Sequence, residues 1–330
     1  MIESAAPTAI VAPLRAELAM LLRLVQGRRR VAAGGQELFF GRLAGEPVVL
    51  AATGDGAAAA ARGLAALLAA VRPRRLLVLG VGGGLAPGLP TGALIVARRV
   101  VEEGREAPAP DAEWLSRAGN VSGAVRAEPG TIVTCARILC EPDEKAARWR
   151  ALAEPGAAAV DLESAAYASV AAAAGVPYIL VRAVLDPAEE RLPLDFDLCR
   201  RPSGEAEVDA PGGAARARET FTAGAGGVSA ARVLWRAVLY PPAFPRLWDL
   251  RRRLRRCSRR LADIALELVA EPPGAEPLGI AAGRTERPQA QAPESFSPGP
   301  YKLGLDEQAR ETQSAGGSEK LLATAEGRRG

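Results

Sequence analysis

Two short stretches carry the residue types that do chemistry. Val160-Asp161-Leu162-Glu163-Ser164-Ala165-Ala166 reads as the end of a strand running into the start of a helix. Val181-Arg182-Ala183-Val184-Leu185-Asp186-Pro187 reads as a second strand that ends on a carboxylate. Between them lie an Ala-rich helical run, Tyr167 to Ala174, and a Gly175-Val176-Pro177 stop. The spacing predicts a strand–helix–strand unit with Glu163 and Asp186 at the carboxyl edge of its strands, where open α/β sheets bind ligands. Two acids at that edge suit cleavage of a bond through a cationic, sugar-like transition state. Taken singly, Glu163 also fits a helix-capping carboxylate and Asp186 a turn former.

Composition narrows the chemistry further. The chain contains no histidine, which excludes Ser-His-Asp triads, Cys-His pairs and the usual zinc sites. Acid–base work falls to carboxylates, Lys, Tyr or water, and no metal site is expected. Cys135, Cys140, Cys199 and Cys257 follow no metal or redox spacing, as expected of reduced thiols in a cytoplasmic protein. A formal charge of +4 is too small to argue for nucleic acid. Glu3, Arg15 and Glu17 interrupt the N-terminal apolar run, so no secretory leader is expected. No uncharged apolar stretch of about 20 residues is present to span a membrane.

The elements that must position the acids read as α/β, a three-layer α/β/α arrangement around a central mixed sheet. Thr8–Ala12 is a strand candidate, and Pro13–Gln26 has helical periodicity, with Leu14, Leu18, Leu21, Leu22 and Val25 on one face. Gln36–Leu43 and Pro47–Ala52 form a hairpin pattern around Gly45. Thr53-Gly54-Asp55-Gly56 is a turn opening an Ala-rich helix to about Val71. A buried strand, Arg74–Gly80, feeds a glycine cluster, and Gly92–Val101 and Gly130–Ala136 are further strands. Residues 104–128 read as a polar surface excursion, and Asp143–Leu152 as a helix.

The cluster Gly80-Val81-Gly82-Gly83-Gly84-Leu85 follows a strand, yet it is a poor dinucleotide fingerprint. Leu85 stands where a third small residue is needed, and Pro87 and Pro90 block a clean helix start. The remaining readings are a turn whose bare backbone approaches a ligand, or a tight turn without one.

The order of these elements, with Thr-Gly-x-Gly, the glycine loop, Asp161-Leu162-Glu163-Ser164-Ala165-Ala166 and Arg182-Ala183-Val184-Leu185-Asp186, resembles the nucleoside phosphorylase and nucleosidase family over about residues 8–187. Within it the chain looks most like the hopanoid-associated phosphorylases, which release adenine from adenosylhopane, and less like the methylthioadenosine/S-adenosylhomocysteine nucleosidases. The resemblance implies that Glu163 holds the ribose 2′-hydroxyl, Leu162 lies under the sugar, and Asp186 meets purine N7. It implies that Glu17 activates water and that Gly82 and Gly83 line the sugar and nucleophile pocket. No cofactor is implied, although inorganic phosphate is an alternative nucleophile. Arg15 fits a phosphate ligand or an ordinary solvated residue. Val81 and Leu185 stand where nucleosidases often carry Ser, and the Gly54-Asp55-Gly56 turn lacks a following Lys and Asn. These departures weigh against ordinary methylthioadenosine specificity.

Such chemistry has physical demands. An acid that protonates N7 must keep its proton near neutral pH, which an apolar pocket favours. A carboxylate on the 2′-hydroxyl gains strength as the sugar becomes cationic.

Domain organisation follows composition. Residues 1–190 form the phosphorylase-like unit, 191–270 a C-terminal extension with helices at Val228–Leu239 and Leu247–Val269, and 271–330 a disordered tail rich in Pro, Gly, Glu, Gln and Ser. Along the second helix Leu247, Leu250, Leu254, Cys257, Leu261, Ile264 and Leu268 recur in steps of three and four. Arg251–Arg253, Arg255, Arg256, Arg259 and Arg260 cover its other faces. Two readings stand: a peripheral contact of 228–270 with the anionic inner face of a membrane, or a helix packed on its own domain or on a second subunit of a homodimer. Nucleic acid is disfavoured, because no stacking aromatics interleave the arginines. The expected partner is a small-molecule or lipid-linked purine nucleoside.

Overall fold

The run Leu76-Leu77-Val78-Leu79 is buried on both faces, as in a strand covered by helices above and below. It forms the centre of β5 (Arg75–Gly84). A computed structural model describes residues 6–121, 125–154, 156–196, 199 and 243–270. Around β5 lie β1 (Thr8–Ala12), β2 (Gln26–Ala33), β3 (Gln36–Leu43), β4 (Glu46–Ala52), β6 (Leu94–Glu102), β7 (Arg105–Glu106), β8 (Ala127–Thr134), β9 (Ala158–Asp161) and β10 (Tyr178–Asp186). They join one mixed sheet in the order β10-β6-β8-β9-β5-β1-β4-β3-β2, with β7 beside β6. β10 also pairs with β5. The strands β5, β10, β6, β8 and β9 therefore close on themselves, while β1, β4, β3 and β2 extend as an open wing.

Alternation along the central strands builds the layers. Leu76, Val78 and Leu180 pack with Leu64, Leu67, Tyr167 and Ala168, which belong to the Ala-rich helices α2 (Ala57–Ala70) and α5 (Ser164–Ala173). Leu77, Leu79, Ile179 and Val181 point the other way, onto Leu261, Ile264 and Leu268 of α6 (Ala243–Val269). The expected α/β/α arrangement is therefore present, with α6 supplying much of the third layer.

Three elements depart from their sequence patterns. Pro13–Gln26 is not one helix: residues 13–20 run in turns, and only α1 (Leu21–Leu24) is helical. Pro13 O accepts the Gly54 N–H, and the Glu17 side chain folds back to accept from Leu14 N. These bonds hold the chain off the helical path and leave Leu14 exposed. β2 is exposed along most of its length, Arg28, Arg29 and Arg30 included, as an edge strand tolerates. The excursion after β6 contains α3 (Ala112–Gly119), capped by Asp111, whose Oδ1 accepts from Trp114 N at 2.8 Å. Trp114 is buried and donates to Leu268 O of α6. The helix expected at 143–152 is α4 (Pro142–Arg150), with Pro at its start, acids in its first turn and arginines in its last.

The helix expected at Val228–Leu239 and the tail 271–330 lie outside the described residues. The long basic helix forms, and its two halves differ. Cys257, Ser258, Leu261, Ala262, Ile264, Ala265, Leu268 and Val269 are buried, whereas Phe244 and Trp248 are exposed. No helix among the described residues is long and apolar enough to cross a membrane.

Candidate active site

The glycine cluster is the origin of the site's geometry, and it is not a loop. β5 continues through Gly84, and Gly83 is in register with both Val160 of β9 and Asp186 of β10. A β-carbon at Gly83 would lie 3.2 Å from Asp186 Oδ2 and 3.2 Å from Val160 Cγ1, and one at Gly82 would lie 2.7 Å from Val160 O. Bare backbone is what lets two strands, running in opposite senses, converge on one residue. β9 and β10 do not pair with each other. Each pairs with β5, β9 antiparallel and β10 parallel, so the two acids are brought near β5 from different directions and not along a common strand edge.

On one side of β5 sits a cluster around Arg182. This residue is completely buried in β10. Its Nε donates to Asp161 Oδ2 at 2.6 Å. Asp161 is fixed in turn by Thr134 Oγ1 at 3.0 Å and by the backbone N–H and hydroxyl of Ser164. Burial alone would favour loss of the Arg182 proton, but the charges of Asp161 and Glu163 outweigh it and hold the guanidinium ionised. Its Nη1 and Nη2 are buried and have no hydrogen-bond partner among the described residues. Gly80 makes room for the group: a β-carbon there would lie 2.5 Å from Nη1 and 3.3 Å from Glu17 Oε1.

Glu17 reaches this cluster from the turns after β1. Its Oε1 accepts from Val81 N at 2.8 Å and its Oε2 from Leu14 N at 2.7 Å. Burial pushes its carboxyl up to about 7 against the pull of those N–H groups and of Arg182. Glu163 occupies the cap position of α5, and its Oε1 accepts from Gly56 N at 2.7 Å. Gly56 holds φ +86°, a conformation that costs a side-chain-bearing residue. Burial, then the neighbouring Asp161 charge, raises the Glu163 carboxyl well above the usual range, with Arg182 opposing. Tyr167, fully buried one turn into α5, is hydrogen-bonded to Thr53 Oγ1, which ties the ends of β1, β4 and α5 together.

On the other side of β5 lies Asp186, only 5% exposed. Lys145 of α4 donates to its Oδ2 at 2.5 Å. Burial lifts the Asp186 carboxyl to about 6, and Lys145 is the main influence holding it down.

The structure thus brings Glu17 and Glu163 together around Arg182, and sets Asp186 across Gly83 from them. Leu162 lies between Asp161 and Glu163, nearly buried. Arg15 stands elsewhere: its half-exposed side chain pairs with Glu37 at 3.0 Å and lies over the Phe39 ring. The cation facing Glu17 is Arg182. Sequence reasoning assigned no role to Arg182, although a lone Arg in an otherwise apolar strand was its signal. Asp161 had only its adjacency to Glu163, and Lys145 had no local signal at all. Cys135, Cys140, Cys199 and Cys257 are free thiols.

Solved structures share this fold. The 5′-methylthioadenosine/S-adenosylhomocysteine nucleosidase from Streptococcus pneumoniae is 17% identical, with a TM-score of 0.56 over 80% of this chain and 98% of that one. The nucleosidase of the same name from Neisseria meningitidis, bound to methylthio-immucillin-A, is 20% identical, with a TM-score of 0.56 over 80% and 98%. A futalosine hydrolase mutant from Helicobacter pylori is 15% identical, with a TM-score of 0.57 over 80% and 99%. The family model described as Phosphorylase superfamily matches residues 7–218, a span that holds all ten strands, and the chain belongs to that superfamily.

Proposed function

We propose that this protein cleaves the N-glycosidic bond of a purine nucleoside. The observation that carries this reading is the pair of buried carboxylates Glu17 and Glu163 around a guanidinium whose Nη groups have no partner among the described residues, with a third buried carboxylate, Asp186, across Gly83 at the same glycine end of β5. The nucleosidases and the futalosine hydrolase that share the fold, together with superfamily membership, support it.

In this reading Glu163 accepts the ribose 2′-hydroxyl. As the C1′–N9 bond lengthens, positive charge develops on the sugar and draws the Glu163 carboxyl toward its ionised form. The bonding pair departs with the purine, and Asp186 delivers a proton to N7. Glu17 takes the proton of the attacking water, a role suited to a carboxyl lifted to about 7. The Nη donors of Arg182 fit the oxygen of that water, or of phosphate were phosphate the nucleophile. Gly82, Gly83 and Leu162 border the sugar, and no cofactor is called for.

The finer reading is an adenosyl lipid of the hopanoid type, acted on at the inner face of a membrane. It draws support from the outer half of α6, where Phe244 and Trp248 are exposed beside Arg251, Arg252, Arg255 and Arg256. A water-soluble nucleoside such as methylthioadenosine is the alternative. Adenine release from adenosylhopane and from methylthioadenosine, with and without phosphate, separates these cases, and the sugar product identifies the nucleophile. Asp186→Asn is expected to lower the rate by about 10²–10⁴-fold; wild-type turnover in that variant would overturn the assignment. Sedimentation with anionic vesicles that weakens with salt and with Trp248→Ser supports membrane contact, and salt-insensitive or absent binding removes it.

A further inference from the structure

Lys145 is completely buried, the one buried residue of a helix whose other charged residues are exposed or partly exposed. The chain has 42 Lys and Arg in total, and only three of them, at 145, 302 and 320, are Lys. A lysine in the interior of so Arg-rich a protein marks a place where a compact ammonium fits and a planar fork does not. The contacts bear this out. Nζ donates to Asp186 Oδ2 at 2.5 Å, to Pro187 O at 2.9 Å and to Glu190 O at 2.9 Å. An ammonium has three donors and no acceptor, so all three are taken and none remains for a substrate. Whatever Lys145 does for a reaction, it does through Asp186.

The geometry also fixes which oxygen of Asp186 is left to act. Oδ2 is held by Lys145, while Oδ1 has no partner among the described residues. The carboxylate lies over Gly83, which is partly exposed and offers no β-carbon to obstruct it. Resting on the reading above, in which Asp186 protonates the departing purine, we propose that Lys145 is the positioning residue of the leaving-group site: it anchors Asp186 by Oδ2, presents Oδ1 to the base, and stabilises the carboxylate that forms when the proton leaves. In that step the C1′–N9 pair goes to the purine, the Asp186 proton goes to N7, and Lys145 keeps its own proton throughout. The cost is a smaller protonated fraction of Asp186 at rest, and the gain is a stronger acid.

The charged surroundings are few. Lys145 faces Asp186 from α4. Glu190, from the segment after β10, and Arg253, from α6, face it as a mutual ion pair. Glu189 lies near Lys145. Cys257 of α6 is close, and burial pushes its thiol up to about 11, so it stays neutral. Lys145 is the largest of the influences that oppose burial at Asp186. Its removal therefore lets Asp186 keep its proton to higher pH.

The test is the pH dependence of kcat for base release from whichever of methylthioadenosine or adenosylhopane the wild type cleaves. Lys145→Met is expected to move the alkaline limb of the profile up by about one pH unit or more, and to lower kcat at the optimum about tenfold with little change in KM. Lys145→Arg restores the charge and returns the limb toward the wild-type position, with kcat only partly recovered. Should Lys145→Met fail to fold, Lys145→Gln keeps donors without the charge and is expected to show the same upward shift. A wild-type limb and wild-type kcat in Lys145→Met or Lys145→Gln would overturn the proposal. Asp186→Asn separates the two layers of inference. If it turns over normally, the acid assignment itself fails; if it is inactive while the Lys145 variants behave as wild type, only the role of Lys145 falls.

Discussion

Two buried cations stand on opposite sides of the same strand end, and they are finished to different degrees. Lys145 has three donors and three acceptors, all within the protein. Arg182 spends Nε on Asp161, and its two Nη groups have no partner among the described residues. A satisfied cation fixes its neighbours in place. An unsatisfied one in the interior bears a desolvation cost that a ligand or water oxygen relieves. The difference teaches which half of the site awaits a ligand oxygen and which half is set in advance. In the proposed reading, the Arg182 side receives an incoming oxygen between Glu17 and Glu163, and the Lys145 side holds the acid for a departing base.

That contrast can be broken by experiment, most strongly at Arg182. Arg182→Met removes the main partner of the buried Asp161. Urea denaturation is expected to show a loss of about 3–5 kcal/mol. A loss below about 1 kcal/mol would mean that the carboxylates around Arg182 do not depend on its charge.

A smaller effect belongs to Glu17. Its folded carboxyl titrates near 7, above the ordinary value of 4.5. A raised folded value means that the contribution is present in full below pH 4.5 and lost as pH rises through 7. By pH 8 the wild type should have lost about 3 kcal/mol from this group relative to Glu17→Gln, read as the change in their stability difference between acid and mildly alkaline urea titrations. In turnover the signs oppose. In the proposed mechanism Glu17 acts ionised, so the rate climbs with pH toward 7, and Asp186 acts protonated, so it falls above about 6. A narrow bell between the two is expected in kcat/KM, with only a few per cent of the enzyme in the productive ionic form.

The mildest prediction concerns the support behind Glu17. Ser258 of α6 donates to Glu17 O at 2.9 Å and accepts from Met20 N at 3.3 Å. Ser258→Ala should cost about 1 kcal/mol and lower turnover less than either buried-charge variant. No change in either measurement would show that α6 covers the site without holding it.

Much of this was legible locally. The periodicity and apolar runs of β1, β3, β4, β5, β6 and β8 give their strands away, and α2 and α5 announce themselves by alanine. The acids Glu163 and Asp186 stand out because each ends an apolar run. The glycine cluster was legible as a close approach but not as a strand, since nothing near it in sequence reveals that β9 and β10 both meet Gly83. Pro13–Gln26 has a helical pattern that tertiary hydrogen bonds override. α3 was hidden by a polar composition, and its Trp114 finds cover on α6.

The sequence by itself determined the layers and the central strand, and it singled out Glu163 and Asp186 by their place at the ends of apolar runs and Glu17 by resemblance, because alternation and helical period depend on neighbours a few residues apart. Only the tertiary structure decided what those carboxylates face. Glu163 meets Gly56 across 107 residues, Asp186 meets Lys145 across 41, and Glu17 is braced by Ser258 across 241. Burial and charge pairing at such separations set the acidities. These are properties of the folded interior, where desolvation and Coulomb attraction act between groups that the chain order does not place together.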